Sequence, residues 1–177
     1  IRNNQNSYLG PEPFFNKRTN VMSEFLTLLC DGIDSYSMAA ELINTGEIIG
    51  LINGRVEVGP RALGHRSLIC DPRNSKAVKT LSQKMKNREA FRPLAPACLE
   101  PFVKEWFVVP DNIHLPLQWM GTLVKPTKRC LLKIPLICHV DKTARLQIVK
   151  ENGDPLHRIL EESFQLNRIP VLVNTSF

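Results

Sequence analysis

The chain has 177 residues, of which 43% are hydrophobic and 23% are charged, a composition typical of one globular domain with a hydrophobic core. It contains no apolar run near 18 residues and no leader-like segment, so we expect neither a membrane span nor membrane association. The chain opens with IRNNQNSYLG, which is polar and has no methionine, and closes with VLVNTSF, an apolar run typical of a strand. We therefore expect one domain over residues 1–177 that is a piece of a longer protein.

The cysteines indicate the cellular compartment and argue against a metal site. They form no CxxC pair, and no histidine is spaced to complete a zinc site with them, so the sequence predicts no metal ligands. We expect reduced, mostly buried thiols and therefore a cytoplasmic protein. The cysteines are Cys30, Cys70, Cys98, Cys130 and Cys138.

The net charge of +6 is concentrated in one segment. Residues 55–92 hold ten Lys or Arg residues against three acids, whereas the rest of the chain holds 13 bases and 14 acids. Such a concentration indicates an anionic partner for this segment rather than a general role in solubility.

Apolar spacing and turn residues predict helices and strands that alternate without strict βαβ regularity. The predicted class is therefore α+β (mixed α/β), a mixed sheet with helices packed on it. In chain order we expect an irregular lead-in at 1–22, helices at 23–31 and 35–46, strands at 47–53 and 67–70, a helix at 74–85, short proline-broken pieces at 93–110 with a helical turn at 101–107, strands at 117–124, 131–140 and 145–149, a helix from Pro155 and a strand at 171–176.

Glycines and arginines alternate in the loop GRVEVGPRALGHR, residues 54–66. Glycine lets a backbone approach a ligand closely, and the planar fork of arginine suits phosphate or carboxylate oxygens. Glu57 or Asp71 can neutralise one arginine, but three acids cannot neutralise ten bases, so an anion site is favoured over internal ion pairs. The candidate ligands in this segment are Arg55, Arg61, Arg66, Lys86, Arg88 and Arg92.

Two less specific interpretations remain for the basic segment. Lys76, Lys79 and Lys84 fall on the outer side of the predicted helix, where a solvated face is expected. The alternative function is a nucleic-acid-binding module that uses residues 55–92 on RNA. Because single-strand binders interleave aromatic side chains and this segment holds only Phe91, nucleic acid is not the expected partner.

Four segments, GRVEVGPRALGHRSLICDPR, KNREAFRPLAPACLE, HVDKTARLQIV and IPVLVNTSF, resemble in this order the C-terminal domain of the nodulation-protein and antibiotic-type O-carbamoyltransferases. The resemblance implies a YrdC-like fold, in which a twisted mixed sheet and helices surround a basic cavity. It implies that the domain takes carbamoyl phosphate and ATP, with Mg²⁺ on the nucleotide, and makes carbamoyl-adenylate. A separate N-terminal Kae1-like domain, whose metal is not carried here, would then pass the carbamoyl group to a hydroxyl, often on a sugar.

The resemblance also assigns individual residues. Arg61 is similar to a phosphate ligand of the family, and Lys86, Arg88 and Arg92 match the arginines and lysine of K-x-R and FRP. Lys142 stands where the family usually has glycine, which can reshape the turn beside Arg145. The expected catalytic residues are Arg61, Lys86 and Arg92, the further binding positions are His139, Arg145, Asn174 and Ser176, and we expect Arg61, Lys86, Arg92 and Arg145 to converge on one cavity.

Overall fold

The computed structural model describes residues 34–89, 91–110 and 114–177, so the predicted lead-in and first helix lie outside the described residues. The elements are α1 (Asp34–Thr45), β1 (Ile49–Ile52), β2 (Arg66–Cys70), α2 (Ser75–Lys79) continued by a π-helix (Thr80–Met85), β3 (Ala95–Leu99), a 3₁₀ turn (Glu100–Phe102), α3 (Val103–Trp106), β4 (Phe107–Val108), α4 (His114–Gln118), β5 (Lys125–Pro126), α5 (Lys128–Lys133), a 3₁₀ turn (Pro135–Ile137), β6 (Gln147–Val149), α6 (Pro155–Asn167) and β7 (Val171–Ser176). None of the helices in these ranges is long and apolar enough to cross a membrane.

Five strands form one mixed sheet in the order β1-β2-β7-β3-β6. The first three pairings are antiparallel, and β3 and β6 are parallel. β7 lies at the centre, where Asn174 is paired with Ile69 of β2 and with Ala95 of β3. The carboxyl end of β7 therefore lies beside the amino ends of β2, β3 and β6, and chain segments distant in sequence meet at this edge.

Both faces of the sheet are covered, and the side chains of β7 alternate between them. Val171 and Val173 join the hydrophobic cluster that contains Leu81 of the π-helix, whereas Leu172 joins the cluster beneath α1 and α6. Those two helices pack against each other on their face of the sheet. The apolar run at the end of the chain thus forms a strand that is buried on both faces, as its composition indicates.

The helix predicted over 74–85 is confirmed, and its second half is widened. The Asn74 side chain caps the first turn by accepting from the Ala77 N–H at 3.0 Å. In the π-helical part the Lys86 N–H reaches the Leu81 carbonyl, 3.1 Å away, and the Arg88 N–H reaches that of Ser82. The chain leaves this helix toward the edge where β7 ends. The lysines assigned to the outer side, Lys76, Lys79 and Lys84, are exposed as predicted.

The strands predicted at 117–124 and 131–140 are wrong, because α4 and α5 occupy parts of these runs. The hydroxyl of Thr127 accepts from the Cys130 N–H at 3.4 Å and caps α5. The buried side chains there, Cys130, Ile134 and Ile137, are spaced three or four residues apart, which is the period of a helix face. The apolar run therefore serves one side of a helical segment, and Leu132 on the other side is 82% exposed.

A strand was also missed between the prolines of 93–110. β3 contains Pro96, and proline within a strand argues against a central position in a sheet. Here Pro96 is paired with Val173 of β7 only, since the pairing with β6 begins at Ala97. On the β6 side Pro96 lies at an open end of the strand, where its missing N–H interrupts no ladder.

Candidate functional site

A cavity of about 180 Å³ opens at the edge of the sheet where β7 ends. Its walls come from the loop at 60–62, the segment at 88–95, Met120, the turn at 139–145 and residues 174–176. The structure thus brings Arg61, Arg92 and Arg145 to one cavity, as expected. The predicted site residues that line it are Arg61, Arg88, Arg92, His139, Arg145, Asn174 and Ser176.

The guanidinium groups of this cavity lie close enough to repel one another. Burial lowers the pKa of Arg61, and the charges of Arg145 and Arg92 lower it further. Burial also lowers the pKa of Arg88, with added repulsion from Arg92 and Arg61 that exceeds the opposing effect of Glu89. Four like charges are therefore held together around one space, an arrangement that an anion in that space would stabilise.

The acids of the basic segment do not neutralise this cluster. Asp71 is paired with Arg73, whose Nε donates to it at 3.0 Å. Glu57 accepts backbone N–H groups, and the closest approach of Glu89 to Arg92 is 4.0 Å between side chains that are both about 60% exposed. Among the described residues that line the cavity, none is acidic.

Lys86 lies beside the cavity rather than in its lining. Its Nζ donates to the backbone carbonyl of Phe177 at 2.8 Å and to Oγ of Ser176 at 3.3 Å. Burial lowers the pKa of Lys86, and the charge of Arg88 lowers it further. Of the four cations expected to converge, Lys86 is therefore the one that reaches the site through another residue, by holding the end of β7.

Arg55 and Arg66, which were also expected to bind the ligand, lie outside the lining of this cavity. Nη1 of Arg66 donates to the carbonyl oxygens of Asn53 at 2.9 Å and His65 at 2.8 Å, and Nη2 donates to that of Gly54 at 3.0 Å. Its donors are therefore used to close the loop. Arg66 does line an adjoining open cavity of about 300 Å³ together with Arg61.

A buried pair of amide side chains supports the loop from the sheet. Nδ2 of Asn174 donates to the carbonyl of Ala62 at 3.1 Å and to Oε1 of Gln147 at 2.7 Å. Gln147 in turn donates to the carbonyl of Leu63 at 3.0 Å. Gln147 is not among the predicted site residues, although it lies within the matched segment HVDKTARLQIV.

The turn before Arg145 explains why glycine suits position 142. Lys142 has φ of +59°, in the left-handed region, which costs a residue other than glycine about 1–2 kcal/mol. Asp141 stabilises the turn by accepting from the N–H and the hydroxyl of Thr143, and these bonds lower its pKa. Arg145 leaves the turn with Nη1 donating to the Met120 carbonyl at 3.1 Å.

The geometry describes what the cavity can do chemically. Each hydrogen bond between a guanidinium and an anion contributes about 1.5–3 kcal/mol, so several that converge make a strong site for a group with many oxygens. Arg61 has no hydrogen bond or ion pair within the described part of the chain, so none of these residues occupies its donors.

One family model and several nodulation proteins are similar in sequence to this chain. The sequence model described as "Carbamoyltransferase C-terminus" matches residues 40–177. The chain is 41% identical over 150 residues to nodulation protein NolNO of Sinorhizobium fredii, covering 84% of this chain and 22% of that protein. It is 38% identical over 145 residues to nodulation protein NolO of Bradyrhizobium diazoefficiens, covering 81% of this chain and 26% of that protein. The chain thus spans about a quarter of the length of these relatives.

Solved structures show the same fold. Escherichia coli YciO superimposes with a TM-score of 0.57 at 16% identity, covering 84% of this chain and 66% of YciO. HypF of T. kodakarensis gives a TM-score of 0.54 at 20% identity, covering 80% of this chain and 17% of HypF. These similarities confirm the predicted α+β, YrdC-like fold with its mixed sheet. Together with the family match, they lead to one conclusion: the chain belongs to the carbamoyltransferase C-terminus family.

Proposed function

We propose that this chain is the part of an O-carbamoyltransferase that binds carbamoyl phosphate and ATP and forms carbamoyl-adenylate. The observation that carries the proposal is the cavity lined by Arg61, Arg88, Arg92 and Arg145, whose described lining contains no acid. Both substrates present several anionic oxygens, and these are the groups that such a cluster binds best.

The proposed reaction has two steps. Carbamoyl phosphate first loses its phosphoryl group to water, which gives carbamate and inorganic phosphate. A carbamate oxygen then attacks the α-phosphorus of ATP, and the bond to the β-phosphate oxygen breaks with its electron pair leaving on pyrophosphate. Phosphoryl and nucleotidyl transfers need fixed positive charge near oxygens that become more negative. Arg61 and Arg92 are proposed to supply it within the cavity, and Lys86 from beside it. Magnesium arrives with the ATP phosphates as part of the substrate.

The product of the proposed reaction is short-lived. Carbamate and its adenylate decompose in water, so a site that encloses them prevents loss. Support comes from another HypF structure, solved in a form bound to phosphate and nucleotide, which superimposes with a TM-score of 0.53 at 20% identity over 85% of this chain and 18% of HypF.

The acceptor step belongs to a different part of the proposed enzyme. Relatives that are about four times longer leave room for an N-terminal Kae1-like domain, which would take carbamoyl-adenylate and pass the group to a hydroxyl, such as one on a sugar. We place the whole reaction in the cytoplasm, where the described thiols Cys70, Cys98, Cys130 and Cys138 stay unpaired.

The proposal is tested by isotope exchange in the full-length protein. Labelled pyrophosphate should enter ATP only when carbamoyl phosphate is present, and acetyl phosphate should not replace it. Arg92→Ala should reduce this exchange by about a hundredfold, because one charged contact to the reacting oxygens is lost. Lys84→Ala, which removes an exposed cation from the same segment, is the matched control and should leave the rate unchanged.

Exchange without carbamoyl phosphate, or an equal loss in both variants, would contradict the proposal.

The nucleic-acid alternative is tested by adding RNA over a range of salt concentrations, since binding to a phosphate backbone weakens steeply with salt. The arginines enclose a cavity and do not form an open stripe, and we expect no salt-dependent RNA binding by the protein.

A further inference from the structure

The loop over residues 57–66 carries Arg61 into the cavity, and one carboxylate folds this loop. Oε1 of Glu57 accepts three backbone N–H groups, from Leu63 at 2.7 Å, His65 at 2.9 Å and Arg66 at 3.2 Å. A single oxygen thus holds the two ends of the loop together. Arg61 lies in the stretch of chain between these ends.

Glu57 acts on the backbone and not on a cation. Burial by itself would raise the pKa of its carboxyl group, but the N–H groups of Leu63, His65 and Arg66 outweigh this effect and lower it. The negative charge is therefore stabilised by peptide dipoles. A carboxylate directed at Arg61 would instead cancel part of the positive charge of the cavity.

The peptide units that follow Arg61 are held from both sides. Glu57 binds the N–H of Leu63, while the amide side chains of Gln147 and Asn174 bind the carbonyls of Leu63 and Ala62. Since Arg61 itself has no hydrogen bond or ion pair among the described residues, its position is set through these neighbouring peptide units.

We propose that Glu57 is a positioning residue for the anion site, which presents Arg61 to the ligand by fixing the backbone of loop 57–66. This inference rests on the proposed function, because it takes Arg61 to be a ligand of an anionic substrate. Glu57 is not among the residues that line the arginine cavity, although it lines the adjoining open cavity. Its contribution reaches the ligand only through Arg61.

A double-mutant cycle in the full-length protein, with inorganic phosphate as the calorimetric probe, measures whether the contribution of Glu57 to binding depends on Arg61. Glu57→Ala should weaken phosphate binding by about tenfold, the scale of one charged hydrogen bond. Glu57→Gln keeps an acceptor oxygen and should recover part of the loss. In the Arg61→Ala background, Glu57→Ala should have no further effect. The matched control is Glu47→Gln, an exposed carboxyl outside the loop that should leave binding unchanged. The same loss in both backgrounds would overturn the inference.

A second measurement does not depend on any ligand. Nitrogen-15 relaxation should show that the backbone order parameters of Arg61 and Ala62 fall in Glu57→Gln, while those of β7 stay as in the unaltered chain. Unchanged order parameters in the loop would overturn the positioning role even if phosphate binds. Absence of phosphate binding by the unaltered chain would instead refute the proposed function, and relaxation would then decide the role of Glu57 alone.

Discussion

Arg61 and Arg66 belong to the same loop, five residues apart, and have opposite surroundings. Arg66 gives its donors to the carbonyls of Asn53, Gly54 and His65, whereas Arg61 reaches a cavity shared with three other guanidinium groups. Arg66 therefore closes the loop, and the loop presents Arg61 to the cavity. Residue type and local sequence are nearly the same for both, so the path of the backbone decides which arginine binds the loop and which one lines the cavity.

Arg145 lies between these extremes. One of its donors is engaged by the Met120 carbonyl, and the side chain still lines the cavity beside Arg61. Such partial engagement fixes the direction of a guanidinium and leaves other donors for a ligand. The following experiments test the proposed division between arginines that hold the loop and arginines that bind the ligand.

The largest effect is expected for Arg61→Ala in the full-length protein. Exchange of pyrophosphate into ATP that depends on carbamoyl phosphate should fall by about a hundred- to a thousandfold. The free energy of unfolding should hardly change, because removing one charge relieves the repulsion from Arg92 and Arg145. Exchange at the unaltered rate would show that Arg61 is not part of the site.

Arg66→Ala should act mainly on stability, whereas Arg61→Ala acts mainly on the exchange reaction. Three carbonyl oxygens would lose a charged donor, so we expect the free energy of unfolding in urea to fall by about 2 kcal/mol. Lys79→Ala, which removes an exposed cation of the same segment, should change it by less than about 0.5 kcal/mol. Equal changes in the free energy of unfolding for the two variants would show that Arg66 contributes no more to stability than an exposed lysine.

The smallest effect concerns pH and Lys86. Its pKa lies below the ordinary 10.5, so its ammonium group loses its proton earlier than a free lysine. An anion favours the charged form; phosphate affinity should therefore be full below the lowered pKa and fall a few-fold as the pH rises from it toward 10.5. Calorimetry should show this fall in the unaltered chain and its absence in Lys86→Ala. If phosphate affinity does not change with pH in either protein, Lys86 does not contribute to the anion site.

The predicted elements that proved right have strong local patterns. The strand at 171–176 is continuously apolar, and the helix at 74–85 has a capping asparagine and one apolar face. β3 was missed because its neighbours in the sheet decide whether it can form, and α5 was missed because the capping role of Thr127 was not recognised. Pro96 is compatible with a strand only because β6 pairing begins one residue later, and the apolar run at 131–137 becomes helical through a cap at Thr127.

For the site, the alternation of glycine and arginine and the resemblance together identified most of the cavity lining. They did not distinguish Arg66 from Arg61, since the carbonyls that Arg66 binds become its neighbours only when the loop folds back on β2. They also left Glu57 as a possible partner of an arginine, whereas its oxygen binds backbone N–H groups. Hydrogen bonds between a side chain and a distant backbone leave little trace in sequence spacing.

The central place of β7 has a consequence for how the protein is assembled. Without β7 the sheet divides into two separate pairs, β1 with β2 and β3 with β6, because no other strand joins them. In that state Arg61 and Arg92 would lie on halves with no common wall, and no cavity would exist. Insertion of β7 brings Ser176 opposite Ser67 and completes the sheet in a contact that closes more than 100 residues of chain, a slow kind of step in folding. Any state in which β7 has not yet joined the sheet would therefore lack the cavity, and the gain of phosphate binding during refolding would time the arrival of this strand.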